Sequence, residues 1–120
     1  MAREQFQNLT EPMYYILLSL FKEPKHGYEI MHTISEISSE TVNVGAGTLY
    51  TLLTRFEKEG MIVRVNLPDS DPRRKTYAIT EKGRAEIGRE YERLKQSINA
   101  YCYTTCDTPP IEAKGDISSG

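Results

Sequence analysis

The chain has 120 residues, 38% of them hydrophobic, and carries fifteen Lys and Arg against seventeen Asp and Glu, a formal charge of −2. One small core is all that such a length and composition can bury, so a single domain is expected. The longest apolar run, Met13 to Leu18, is six residues, far below the roughly 20 needed to cross a bilayer; with no charged segment and small-residue cleavage site ahead of it, a soluble, cytoplasmic protein with no membrane partner is expected.

Taken in chain order, residues 1–8 read as a flexible N-terminus. Leu9-Thr10-Glu11-Pro12 reads as a helix entry, with Thr10 as N-cap and Pro12 tolerated in the first turn. The near-continuous apolar stretch Met13 to Phe21 then predicts a helix buried on most sides, ended by Lys22-Glu23-Pro24-Lys25. A second helix is predicted from His26 to about Ile37, with Ile30, Met31, Ile34 and Ile37 at helical spacing. Ser38 to Gly45 reads as a loop. The third helix is predicted from near Ala46 to Gly60, a suitable residue for the left-handed position after a helix. Its Leu49, Leu52, Leu53 and Phe56 fall on one face. Met61 to Leu67 then reads as a half-buried strand, Pro68 to Pro72 as a turn, and Arg73 to Ile79 as the return strand, with Tyr77 and Ile79 on one side and Arg74, Thr76 and Ala78 on the other. A long helix follows from Glu81 to Cys106, and residues 107–120, rich in Pro, Ser, Gly and acids, read as a disordered tail.

Helix, strand, basic-tipped turn and strand in that order predict a mostly α fold with a small β-hairpin: a winged helix-turn-helix over residues 9–80 with a C-terminal dimerisation helix over 81–106. Local charge agrees with nucleic-acid binding better than the total does. From Gly45 to Thr80 six basic residues face four acidic ones, whereas Lys22 to Val44 has two lysines against four glutamates. Opposite the leucine stripe of the third helix lie Thr51, Thr54 and Lys58, flanked by Tyr50 and Arg55 and headed by Thr48. Hydroxyls and cations of this kind contact phosphate oxygens and base edges when a helix enters a major groove. Arg73, Arg74 and Lys75 at the hairpin tip are placed to neutralise phosphates alongside. The competing reading of the three cations is that they guard an exposed edge ribbon against pairing.

Four blocks in succession, His26-Gly27-Tyr28-Glu29-Ile30, Gly47-Thr48-Leu49-Tyr50-Thr51-Leu52-Leu53, Arg55-Phe56-Glu57-Lys58-Glu59-Gly60-Met61-Ile62 and Arg73 to Gly83, resemble the signature of the PadR family of bacterial transcriptional regulators, in order and spacing, over about residues 10 to 105. One departure stands out: Thr51 occupies a position where the family usually has proline. The resemblance implies a homodimeric, ligand-responsive repressor on a palindromic double-stranded DNA operator, in a subfamily that dimerises through a single C-terminal helix. It also implies a small hydrophobic or phenolic effector, lodged between the dimer helix and the first helix. The chain has no Trp on which a flat drug could stack, leaving Tyr91, Tyr101 or Tyr103 as substitutes.

The dimer has separate support in the residues. Ile87, Tyr91, Leu94, Ile98 and Tyr101 follow at spacings of 4, 3, 4 and 3, a stripe suited to a partner helix or to the chain's own first helix. Tyr14 and Leu17 of the first helix and Tyr28 of the second are assigned to the same surface. Cys102 and Cys106, four apart, leave open a redox-responsive regulator. A winged-helix adaptor without DNA binding is the other alternative, motivated by the net negative charge and by Asp69 and Asp71 in the wing turn. His26 and His32 lie six apart, off the spacing of a helical ligand pair, and His26 is expected to help cap the second helix. No nucleophile–base constellation or phosphate loop is present in the sequence, so no enzyme, metal or cofactor is expected.

Overall fold

A computed structural model describes residues 8–68, 71 and 73–106. The expectations for the N-terminus up to residue 7, the middle of the wing turn and the tail over 107–120 lie outside the described residues. Contacts divide the chain into two compact units, Met1–Gly88 and Arg89–Gly120.

In the first unit, helix α1 (Glu11–Ser19) begins where Thr10 Oγ1 accepts the Met13 N–H at 3.4 Å. This satisfies one of the four backbone donors left over at a helix start. Strand β1 (Lys25–His26) leads directly into α2 (Gly27–Ile37), whose N-cap is His26. The His26 N–H is held by Glu29 Oε1 at 3.0 Å, the reciprocal half of a capping box. The loop after α2 is fixed by Ser38, whose Oγ accepts the Val42 N–H at 3.0 Å. Ser39 and Glu40 there adopt positive φ values of 52° and 66°. Val42 and Val44 dip into the core and anchor this loop.

Helix α3 (Ala46–Lys58) buries Leu49, Leu53 and Phe56, as the leucine stripe predicts. It stops at Gly60, whose φ of +79° is accessible at little cost only without a Cβ. The Met61 N–H reaches back to Phe56 O at 2.9 Å, and the Lys82 ammonium donates to Glu59 O at 2.7 Å, so two of the carbonyls at the helix end find donors. Strands β2 (Ile62–Val65) and β3 (Thr76–Ile79) form the wing hairpin.

The sheet is not the two-stranded hairpin expected from the sequence but three antiparallel strands in the order β1-β3-β2. Lys25 pairs with Tyr77 and His26 with Thr76 on one side of β3, and Ile62, Val63, Arg64 and Val65 pair with Ile79 to Thr76 on the other. Sitting in the central strand, Thr76 is buried together with Tyr77 although the two alternate to opposite faces. The added strand also joins the base of the wing to the start of α2.

The core gathers Ile16, Leu17 and Leu20 with Ile30 and Ile34 of α2, the α3 stripe, Met61, Ile62 and Tyr77. Each such aliphatic side chain contributes about 1.5–3 kcal/mol on burial. Helix α4 (Glu81–Thr105) enters through Thr80, whose Oγ1 accepts the Gly83 N–H at 3.1 Å and donates to Gly60 O at 2.7 Å. Gly83 lies against the Met61 carbonyl and Ile79, and Ile87 closes the core, so the first compact unit takes in the opening turns of α4.

Leu17, expected at a partner surface, is wholly enclosed, and Ile87 is 6% exposed. Both belong to the chain's own core, because an apolar stripe does not declare what it packs against; neither side chain has surface to offer a second copy. In the second unit, Tyr91, Ile98 and Tyr101 are 50%, 62% and 66% exposed, with Leu94 half-buried. Tyr28 is exposed, and Tyr14 is half-buried edge-on to Tyr15. Among the described residues no helix is long and apolar enough to cross a membrane.

Candidate nucleic-acid interface

The outward face of α3 is built as its periodicity predicts: Thr48, Tyr50, Thr51, Thr54, Arg55 and Lys58 are all exposed. Thr54 Oγ1 donates to Tyr50 O at 2.9 Å, a bond within its own helix that fixes the hydroxyl while leaving the oxygen able to accept. Thr51, where the proline departure falls, continues the helix without interruption. Arg55 is already engaged in an interaction of its own. On β2, Arg64 Nε stands 3.2 Å from Glu57 Oε2, so one wing cation is tied to α3 rather than free for a ligand.

The three cations ahead of β3 differ from one another. Arg73 curls onto Asp71: its backbone N–H donates to Oδ1 at 2.9 Å, and its Nε and Nη2 reach Oδ1 and Oδ2 at 3.2 and 3.0 Å. Side-chain hydrogen bonding from Arg73, then its backbone N–H, holds the Asp71 carboxyl below the usual carboxylate range. Arg74 turns the other way, with Nη1 2.9 Å from His26 Nε2 across a sequence separation of 48. Lys75 is exposed. The tie between Arg74 and His26 was invisible in the sequence. His26 does cap α2, as expected, but through its backbone, and its ring serves the wing.

These elements converge. A concavity of about 780 Å³ opens between the α2 start (His26, Gly27, Tyr28, Glu29), Tyr50 of α3 and residues 73–75 of the wing. Gly27 makes the convergence possible, because the Tyr50 phenol lies where a side chain at position 27 would stand. Gly27 falls in the first of the signature blocks, but nothing in the sequence tied it to Tyr50.

The remaining chemistry-bearing residues do not assemble. His32 pairs with Glu36 at 3.7 Å on an exposed helix face. Cys102 and Cys106 are free, exposed thiols one turn apart. Among the described residues no group of three or more His, Cys, Asp or Glu is placed to hold a metal ion.

Residues 16–89 match the Transcriptional regulator PadR-like family. The chain belongs to that family. An uncharacterised protein of Lysinibacillus sphaericus is 31% identical over 90 residues, covering 72% of this chain and 83% of its own length. Among solved structures, a transcriptional regulator from Clostridium thermocellum superposes with a TM-score of 0.60 at 30% identity, over 73% of this chain and 89% of that one. A PadR-like transcription factor from Bacteroides fragilis gives 0.56 at 31% identity, over 73% and 86%. The four helices and three-stranded antiparallel sheet are those of a PadR winged helix, and the family is one of transcriptional regulators rather than enzymes.

Proposed function

We propose that this PadR-family protein is a sequence-specific, DNA-binding transcriptional repressor that works in the cytoplasm as a homodimer on a palindromic operator and responds to a small hydrophobic or phenolic effector. The observation that carries the reading is that Tyr50, on the outward face of α3, and Arg73, Arg74 and Lys75 of the wing open onto one concavity. A helix laid in a major groove puts its exposed hydroxyls and cations against base edges, while a basic ribbon beside it meets the backbone. Thr48, Tyr50, Thr51, Thr54, Arg55 and Lys58 form the groove-facing set. The wing cations form the phosphate-facing set. Thr51 brings a hydroxyl where a proline would bring none, so operator preference at that step belongs to this chain.

Two copies related by a two-fold axis would put their α3 helices into successive major grooves about 34 Å apart. Tyr91, Leu94, Ile98 and Tyr101 of α4 supply the self-complementary surface that such an axis requires. An effector that alters the separation of the two heads would then alter affinity without touching DNA.

The test is fluorescence anisotropy with a duplex from the region upstream of the gene, at two salt concentrations. Nanomolar-range binding that falls steeply with salt, and a strong loss in Arg73→Ala/Arg74→Ala, is the expected result. Failure to retain any genomic fragment in a selection on the immobilised protein would overturn the reading.

A further inference from the structure

We propose that His26 is a positioning residue for the wing, holding Arg74 at the concavity it shares with Tyr50 only while its imidazole is neutral, and that this makes DNA binding fall on acidification; the binding half of the proposal rests on the function proposed above. Three observations carry it. Arg74 Nη1 lies 2.9 Å from His26 Nε2. A guanidinium has donors and no acceptor, so Nε2 must accept, and the ring proton must sit on Nδ1. The same Nε2 is 3.5 Å from Glu29 Oε1, the carboxylate that caps the His26 N–H at 3.0 Å. The His26 side chain is 17% exposed, and its backbone is held in register with Thr76 by strand pairing.

One nitrogen therefore faces a cation on one side and an anion on the other, and its proton decides between them. When neutral, it accepts from Arg74. When a proton from solvent adds to Nε2, the lone pair that held Arg74 is gone, the new N–H is within reach of Glu29, and two cations face each other. The charged and titratable groups around the concavity are Glu29 and Tyr28 on α2, Tyr50 on α3, and Arg73, Arg74 and Lys75 on the wing. Glu29 is the carboxylate lining the concavity among the described residues, and it lies within reach of Nε2; the wing carboxylate Asp71 is bound to Arg73 and acts on Arg74 through space. Lys25, the neighbour of His26 on β1, is occupied with Glu23 at 3.6 Å.

The direction of the effect separates this device from simple electrostatics. Adding positive charge to a DNA-binding face raises affinity by ordinary charge attraction. Releasing Arg74 from its seat lowers it, because a long side chain must then be ordered at binding.

The experiment has two parts. In the free protein at neutral pH, long-range nitrogen–proton NMR should find His26 in the Nδ1–H form, and Arg74→Ala should shift it towards the Nε2–H form. An Nε2–H ring in the wild type, or no change in Arg74→Ala, overturns the contact. Anisotropy then uses a labelled duplex selected from random sequence on the immobilised wild type, read at pH about 7.5 and about 5.5. Wild-type affinity should fall about tenfold on acidification, the scale of one charge-assisted hydrogen bond. His26→Gln, whose amide oxygen accepts from Arg74, should bind as the wild type does at high pH and stay level, whereas His26→Leu should be weak at both. Affinity that rises or stays level in the wild type, or identical behaviour of the two variants, overturns the positioning role. Failure to select any duplex instead overturns the proposed function, while the NMR result still decides the contact.

Discussion

A Cβ on Gly27 would overlap the Tyr50 phenol, so the first residue of α2 and an outward residue of α3 are shaped to each other. The obstructing atoms are the far end of one side chain, which can swing away. Gly27→Ala is therefore expected to destabilise by about 1–2 kcal/mol, towards the low end of overpacking costs. In a Tyr50→Ala background most of that cost should vanish, giving a coupling energy of about 1 kcal/mol in a double-mutant cycle read by urea unfolding. A cost unchanged in that background would mean that position 27 is constrained by something other than Tyr50.

Two glycines of α4 invite the same substitution and should answer with opposite signs. At Gly83 a Cβ would overlap the Met61 carbonyl oxygen and stand 2.7 Å from Ile79 Cγ1. Backbone and core cannot yield there as a tyrosine tip can, and Gly83→Ala is expected to cost about 2–3 kcal/mol. At Gly88 nothing lies within 4 Å, so Gly88→Ala should add about 0.5–1 kcal/mol from helix propensity alone. Thermal unfolding of the two variants beside the wild type checks the pair. Equal effects would show that Gly83 is not the close approach between α4 and the wing base.

Asp71 holds Arg73 by one backbone and two side-chain hydrogen bonds, and a phosphate that takes the Nε and Nη2 edge of the guanidinium must displace the latter two. Asp71→Asn is expected to tighten DNA binding several-fold and to steepen its salt dependence by up to one phosphate's worth of counterion release. Anisotropy across a salt series measures both. Weaker binding in this variant would mean that the pair organises the wing tip instead of restraining it.

How much of this was legible in the sequence depends on how local the cause is. The α3 stripe, the glycine stop at residue 60 and the Thr10 cap depend on neighbours within one or two turns, and each is where periodicity and capping chemistry put it. Strand β1 is two residues long and exists because Lys25 and His26 meet Tyr77 and Thr76, about fifty residues away; no local propensity encodes that. The same distance hid the Arg74–His26 contact and the burial of Thr76. Leu17 and Ile87 illustrate a different limit. Their pattern correctly announces an apolar face, but whether it is covered by the same chain or a second one is a question of volume and position, and here the chain covers both itself.

Tyr77 supplies a pH dependence. Burial, with smaller contributions from Glu57 and Tyr50 against Arg64, raises its phenol above the usual tyrosine value of about 10. For a raised group, the stability tied to the neutral form is fully present below the unfolded value and is lost as pH rises through the higher folded one. The wild type should therefore lose stability above pH about 10 more steeply than Tyr77→Phe, which cannot ionise there. Urea unfolding from pH 8 to 11 tests this, with parallel curves for the two proteins as the contrary outcome.

The exposed residues of α4 give the sharpest test of assembly. Ile98 and Tyr101 are 62% and 66% exposed, so aspartate at either position removes no buried contact within the chain. A pair of charges there would have to be buried without partners in a helix-to-helix interface, at a cost of several kcal/mol. Ile98→Asp/Tyr101→Asp is thus expected to leave thermal unfolding of the winged unit nearly unchanged while converting the protein to monomers by light scattering. Its affinity for a palindromic duplex should fall by about a hundredfold or more, because the second half-site no longer binds as an intramolecular event. Its affinity for a single half-site should be that of the wild type. A dimer that persists with both charges in place would move the two-fold axis away from this stripe.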